Sequence, residues 1–421
     1  MRESIPSLTG LRFIAAFSVL IAHALPKIIP LPEGHSGPLI YTLLGSASAE
    51  GMTLFFVLSG FVIHYNYAQQ IQHGGSRGLY SFFVARFARL YPLFLCCLLY
   101  DLLYKYSYSQ VPPSLSDALP YYLSLTQSWF YVPLGDNSLI YQFGLMPSVA
   151  WSVSTEWFFY CVYPLICYGL ARVVGIKNNL LVALAVCIAA VVLVVGIGSF
   201  GDLINTRAVA LFGPVADLNT HWQDSFVRWL LYFSPYSRVF EFLLGCICAS
   251  IYVSQSSKPV TANEERWGLG LLLISMVVVG ALHMFFYANV TLPGRLLTWL
   301  TPLKWLSFSF GLAPPVAVII FCCARYQSAM ARWLSSGKMV LCGEASYSIY
   351  LLHLPVIFAF RWEAAPVTAP RVLIGDSLRF GMTALSIIGL SLITWTIIEV
   401  PCRRFLRRLI VRDRPLVIEA T

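Results

Sequence analysis

Ten apolar stretches punctuate this chain, at roughly 7–29, 47–68, 87–106, 148–171, 179–198, 231–253, 267–288, 304–324, 339–360 and 379–400. Each is close to the roughly 20 residues that a helix needs to cross a hydrocarbon core. In lipid every backbone N–H and C=O must be satisfied within the protein, so stretches of this length fold as helices. The expected fold is all-α: a polytopic integral membrane protein of about ten transmembrane helices. Composition supports it, with 58% apolar and 11% charged residues, where a soluble domain carries roughly 25% charge. The third stretch ends in Tyr104, Lys105 and Tyr106, an interfacial composition. Arg2 and Glu3 precede the first stretch, which has no small-residue cleavage site and is expected to stay as a span.

The formal net charge of +9 reads as topology before it reads as a partner. One set of loops holds Arg77, Arg86, Arg89, Arg172, Lys177, Lys258, Arg266, Arg325, Arg332 and Lys338, and the tail RRFLRRLIVRDR adds six arginines. The opposite loops hold fewer, so the positive-inside rule puts both termini in the cytoplasm. Residues 1–410 read as one membrane domain and 411–421 as a cytoplasmic tail. The longest outer loop, about 107–147, is rich in Tyr, Trp and Pro and is expected to hold an interfacial helix. No basic face on a soluble module is visible, which argues against nucleic acid. The eleven cysteines lie almost entirely inside apolar runs without a CxxC. They read as free buried thiols, with no metal site.

Polar groups inside the apolar runs point to chemistry. The first run, LTGLRFIAAFSVLIAHA, holds Arg12 and His23, eleven residues apart. Eleven steps of about 100° return a helix to within about 20° of its start, so both share a face, roughly 16 Å apart along the axis. A cation at that depth needs a partner or a wet cavity. Arg86 and Arg89, three apart in FVARFARLYP, are either plain topological anchors or a fork for phosphates. In WSVSTEWFFY, Glu156 lies beside Ser152 and Ser154, and its depth is comparable with that of His23. An intramembrane carboxylate is a functional residue by default, and a Glu156–His23 contact is one possibility.

Other features have plainer readings. Ser59-Gly60 in FFVLSGFVIHY reads as close helix packing, and His64 as an interfacial residue. Ser348 and His353 lie near mid-membrane in YSIYLLHLPV, where a histidine serves either packing or function. Glu399 precedes the arginine tail and reads as a partner for Arg403. GxSxG, HExxH and Walker motifs are missing. Acid–base chemistry by a histidine, with arginines holding phosphate, is what remains.

Together these segments resemble the membrane-bound acyltransferase family 3. The matching pieces are the Arg-x10-His of LTGLRFIAAFSVLIAHA, then FFVLSGFVI, Arg-x-x-Arg at Arg86 and Arg89, WSVSTEWFFY and ASYSIYLLHLPV, in the family's order. The resemblance implies a multi-pass enzyme of the bacterial cytoplasmic (inner) membrane. It would move an acyl group, usually acetyl, from cytoplasmic acyl-CoA to a carbohydrate or lipid-linked glycan bound for the cell surface, of exopolysaccharide or lipopolysaccharide type. Acyl-CoA would be a co-substrate, with no permanently bound cofactor. His23 would be the catalytic histidine, and Arg12, Arg86 and Arg89 would serve acyl-CoA. Trp151, Ser152, Ser154, Ser348 and His353 become candidates for the acceptor or acyl channel.

The chain departs from the family at Met52-Thr53, where Val-Asp is frequent. It also ends at residue 421 on the expected inner side, without the outer esterase-like domain of many members. On this reading His23 takes the proton of a sugar hydroxyl as it attacks the thioester. Glu156 could orient the ring as the acid does in a Ser-His-Asp triad. The alternative function is a secondary transporter or flippase. Its proton relays would use the same residue types, but the internal repeats common in transporters are not seen.

Overall fold

The computed structural model describes residues 3–28, 39–108, 114–141, 149–287, 300–360 and 373–411. The bundle is built on α1 (Pro6–Ile28), α2 (Leu39–His73) and α3 (Gly75–Ser107). A short α4 (Leu115–Leu123) follows, then a two-strand hairpin pairing Pro133–Leu134 with Asn137–Ser138. Next come α5 (Trp151–Leu170), α6 (Ile176–Ser199), α7 (Gly201–Phe212) and α8 (Phe226–Arg228). A π-turn at Trp229–Phe233 leads into α9 (Pro235–Ser256), and then α10 (Ala262–Tyr287). The last elements are α11 (Ala313–Arg325), α12 (Ala329–Leu334), α13 (Gly337–Glu344), α14 (Ser346–Ala359), α15 (Leu373–Thr394) and α16 (Val400–Val411).

Among the described residues, seven helical segments are long and apolar enough to cross a membrane, or eight if the bent pair α13–α14 counts as one. This agrees with an all-α polytopic membrane protein. Each expected stretch contains helix, but three are not among these seven: α5, with Glu156 and its Ser, Thr, Tyr and Trp residues, is less apolar than they are, and the other two are not continuous. The stretch 304–324 was expected to be continuous; instead a 3-10 segment at Thr301–Ser307 gives way to a turn, and regular helix starts only at Ala313. Phe310 in that turn has φ +69°, and its N–H donates to Glu241 Oε1 at 2.9 Å. The exposed backbone donor is thus satisfied by a buried carboxylate, which is what permits a break at this depth. The stretch 339–360 bends by 67° between α13 and α14. Residues 29, 148 and 288, which end three expected spans, lie outside the described residues, as do parts of the outer loop and positions 412–421 of the tail.

α1, α2 and α9 form the centre, with α1 against α2 and α2 against α9. Small residues bring the last pair together. A Cβ on Gly60 would lie 1.9 Å from the carbonyl oxygen of Phe242, and one on Gly245 would lie 2.0 Å from that of Val57. The two backbones are therefore in direct contact, the packing read from Ser59-Gly60. α6 and α10 are largely exposed and form the lipid-facing flank. His64, expected at the interface, is buried instead, between Tyr163 and Ser250. Two polar partners satisfy both ring nitrogens, so the interior holds it at low cost.

Candidate active site

Two cavities meet along α1. The first, a narrow cavity of about 60 Å³, is lined by Arg12 of α1, Ser59 of α2, Arg86 and Arg89 of α3, and Glu156 and Tyr160 of α5. Helical spacing explains the convergence: Arg86 and Arg89 are one turn apart on α3, as are Glu156 and Tyr160 on α5. Glu156 accepts hydrogen bonds from Ser59 Oγ at 2.9 Å and from the Tyr160 hydroxyl. Arg86 Nη2 donates to the Tyr67 hydroxyl at 2.6 Å, with its guanidinium 4.7 Å from that ring. Arg86 Nε is buried and has no hydrogen-bond partner among the described residues. Neither Arg12 nor Arg89 belongs to an ion pair among the described residues. Three guanidiniums thus face one cavity that offers a single carboxylate, already bonded twice. Such an excess of positive charge suits an anion.

The second cavity, about 380 Å³, is lined by His23 and Lys27 of α1, Tyr141 before α5, Trp151 of α5, and Arg228 and Tyr232 around the π-turn. Met52 and Tyr350 line both cavities and so stand between them. Tyr350 is fixed there: its hydroxyl donates to Val149 O at 2.8 Å and also meets Ser152 Oγ at 2.8 Å.

The partner of His23 is His353, not Glu156. The His353 Nε2 to His23 Nδ1 distance is 3.0 Å, and the rings stack with centroids 5.0 Å apart. His353 Nδ1 lies 2.6 Å from Tyr350 O. A carbonyl oxygen only accepts, so His353 Nδ1 carries a proton. In the neutral ring His353 Nε2 then accepts from His23 Nδ1–H, which leaves His23 Nε2 with the free lone pair. The reason Glu156 does not reach His23 is its register: on α5 it sits one turn beyond Ser152, the residue at the Tyr350 partition, and so falls in the arginine cavity.

The other candidates separate. Ser152 lines the arginine cavity and Trp151 the histidine cavity. Ser154 is fully buried and donates to Leu125 O at 2.8 Å while accepting from Ser128, so it pins the preceding loop to α5. Ser348 donates to Glu399 Oε1 at 2.5 Å, and Glu399 pairs with Arg403 at 3.7 Å. Those contacts tie α14 to the last helices and place Ser348 in neither cavity lining. Sequence reasoning passed over Tyr350, Tyr232, Tyr67 and Tyr160, because an aromatic in an apolar run gives no signal of its own, and it counted Arg228 only as a loop charge. It also passed over Arg238 and Glu241, which pair at 3.0 Å, both fully buried. Opposite charges three apart inside the run 231–253 were a usable signal. Glu241 also accepts from Thr53 at 3.0 Å, so Thr53, at the position of the family departure, keeps a polar role.

A family model described as an acyltransferase domain matches residues 5–398. The chain belongs to the acyltransferase 3 family. Relatives agree with the assignment. Acyltransferase MdmB of Streptomyces mycarofaciens is 27% identical over 96% of this chain and 93% of its own length. Peptidoglycan O-acetyltransferase OatA of Listeria monocytogenes is 22% identical over 85% of this chain and 50% of its own length. O-acetyltransferase OatA of Staphylococcus aureus is 24% identical over 84% and 50% respectively. The chain thus spans half the length of these OatA proteins. No solved structure is a significant match. As an acyltransferase, the protein must bring an acyl donor and a nucleophile to one point, and the two cavities meeting at Met52 and Tyr350 offer such a point.

Proposed function

We propose that this acyltransferase moves an acyl group, usually acetyl, from cytoplasmic acyl-CoA to a hydroxyl of a surface or exported carbohydrate. The convergence of Arg12, Arg86 and Arg89 on one cavity carries the reading. The phosphates of CoA are the anions that suit it, because a guanidinium binds phosphate oxygens in pairs. The thin pantetheine arm then passes the partition at Met52 and Tyr350, and the thioester meets His23. The roughly 16 Å between positions 12 and 23 on α1 suits an arm of that kind. The OatA names add the precedent of O-acetyl transfer to a glycan.

In the mechanism His23 Nε2 takes the proton from the attacking hydroxyl. The hydroxyl oxygen bonds to the thioester carbon, and the thiolate of CoA leaves and recovers the proton from His23. His353 holds the His23 ring in the tautomer that leaves Nε2 free. Glu156 acts at the other cavity, where its charge limits repulsion among the arginines and, with Tyr160, fixes their surroundings. Residues 1–410 act as one membrane unit of about ten spans in the cytoplasmic membrane.

With labelled acetyl-CoA supplied to the purified protein in vesicles, label is expected on an added glycan, in step with free CoA release. Accumulation of unmodified solute inside the vesicles, with no labelled product, would sink the reading. Topology is a second test. Both termini in the cytoplasm place the α2–α3 turn inside and the hairpin outside. Single cysteines at Ser76 and Asn137, both exposed, in a background without native cysteines, should label from opposite faces. An impermeant reagent should reach Asn137→Cys in intact cells and Ser76→Cys only after lysis. The reverse order would turn the arginine cavity away from the acyl-CoA pool.

A further inference from the structure

The histidine cavity has a charge pattern that the transfer chemistry does not require. Lys27 and Arg228 line it together with His23, and no described aspartate or glutamate does. The nearby carboxylates are engaged elsewhere. Asp224 Oδ1 accepts from the N–H and hydroxyl of Ser138 at 2.6 and 2.7 Å. Glu50 pairs with His283 at 2.7 Å.

Arg228 is held as a receptor is held. Its Nη1 donates to Gln223 O at 3.1 Å. Its guanidinium lies 5.1 Å from the Phe233 ring and 5.9 Å from the rings of Tyr141 and Tyr232. Aromatic neighbours fix the plane, and of its five N–H donors one goes to the Gln223 carbonyl and another to the Tyr141 hydroxyl. The others remain for a ligand, and a planar fork matches a carboxylate or phosphate. Beside this fork Trp151, Tyr141 and Tyr232 line the cavity, and rings of this kind accept the apolar face of a sugar. The cavity volume of about 380 Å³ falls within the range of small-molecule sites.

We propose that this cavity takes an acceptor bearing an oxyanion, a phosphate or a carboxylate, next to the sugar that is acylated. The anion rests against Arg228 and Lys27 and so brings the reacting hydroxyl to His23. The proposal deepens the acyltransferase reading above and rests on it. A sugar phosphate and a uronic acid would present the same chemistry here, and the acceptor series below distinguishes them.

The experiment measures transfer from labelled acetyl-CoA to three acceptors sharing one sugar: the neutral glycoside, the sugar phosphate and the uronate. At least one anionic acceptor should show a KM at least about tenfold below that of the neutral one. Arg228→Gln should erase that difference and leave the KM for acetyl-CoA within about twofold, while Arg228→Lys keeps part of it. Raising ionic strength on the unmodified protein should raise KM for the anionic acceptor alone, a reading that needs no variant to fold. Whichever anion is preferred names the source. Equal KM values for neutral and anionic acceptors, with transfer intact, would overturn the proposal and leave the acyltransferase reading standing. A fall in kcat of equal size on all three acceptors, with KM unchanged, would also overturn it, since Arg228 would then act on the reacting carbonyl. No transfer to any acceptor from acetyl-CoA would defeat both.

Discussion

His23→Ala is expected to lower kcat by about 10²- to 10⁴-fold, the range associated with loss of a positioned general base. Binding of acyl-CoA should stay within about twofold, because the arginine cavity lies on the other side of Met52 and Tyr350. The split between turnover and binding is the informative part. Calorimetric binding of a non-hydrolysable acyl-CoA analogue and steady-state transfer, measured on one preparation, would give both numbers. A variant that keeps more than a tenth of the turnover would remove His23 from the chemistry. A variant that loses the analogue instead would make it a binding residue.

The neighbour sharpens this expectation. His353 hydrogen-bonds His23 at 3.0 Å and is itself fixed by Tyr350 O at 2.6 Å. His353→Ala should therefore slow transfer through the wrong tautomer of His23, with acceptor and acyl-CoA KM little changed. His353→Gln, whose amide oxygen can still accept from His23 Nδ1–H, should recover part of the rate. A residue that serves packing alone would show no such rescue.

The sequence made the shared face of Arg12 and His23 legible because helical geometry needs only their spacing. It also brought Arg12, Arg86, Arg89 and Glu156 into consideration, since each is a charge that lipid will not tolerate without a reason. What spacing along one helix cannot give is rotation against another helix. The sequence puts Glu156 and His23 at comparable expected depth, yet they line different cavities on either side of Tyr350, and the contact that holds His23 comes from α14. The break before Ala313 had a local signal that the sequence reading passed over, Gly311 followed by Pro314-Pro315. What the sequence does not show is the distant Glu241, which accepts the backbone N–H of Phe310 left open by the break. Arg238 and Glu241 could have been caught, because two charges three apart in a span announce a buried pair.

Lysine in place of Arg89 or Arg12 is expected to raise the KM for acyl-CoA by about tenfold, and glutamine by as much as about 100-fold, with little loss of stability. A charge-assisted hydrogen bond is worth roughly 1.5–3 kcal/mol, and lysine keeps the charge while losing the paired geometry. Neither arginine belongs to an ion pair among the described residues, so its removal breaks no salt bridge there. Arg86 should behave differently. Its Nη2 holds the Tyr67 hydroxyl at 2.6 Å and its guanidinium lies against that ring. Arg86→Lys should therefore lower the thermal midpoint in detergent as well as raise KM. A dephosphorylated CoA donor lacking the 3′-phosphate provides the control: if these arginines grip phosphate, at least one of the three variants should lose discrimination between the two donors. Should all three keep an unchanged KM and show only poorer membrane insertion, the arginines are topological anchors and the anion held in the cavity is not CoA.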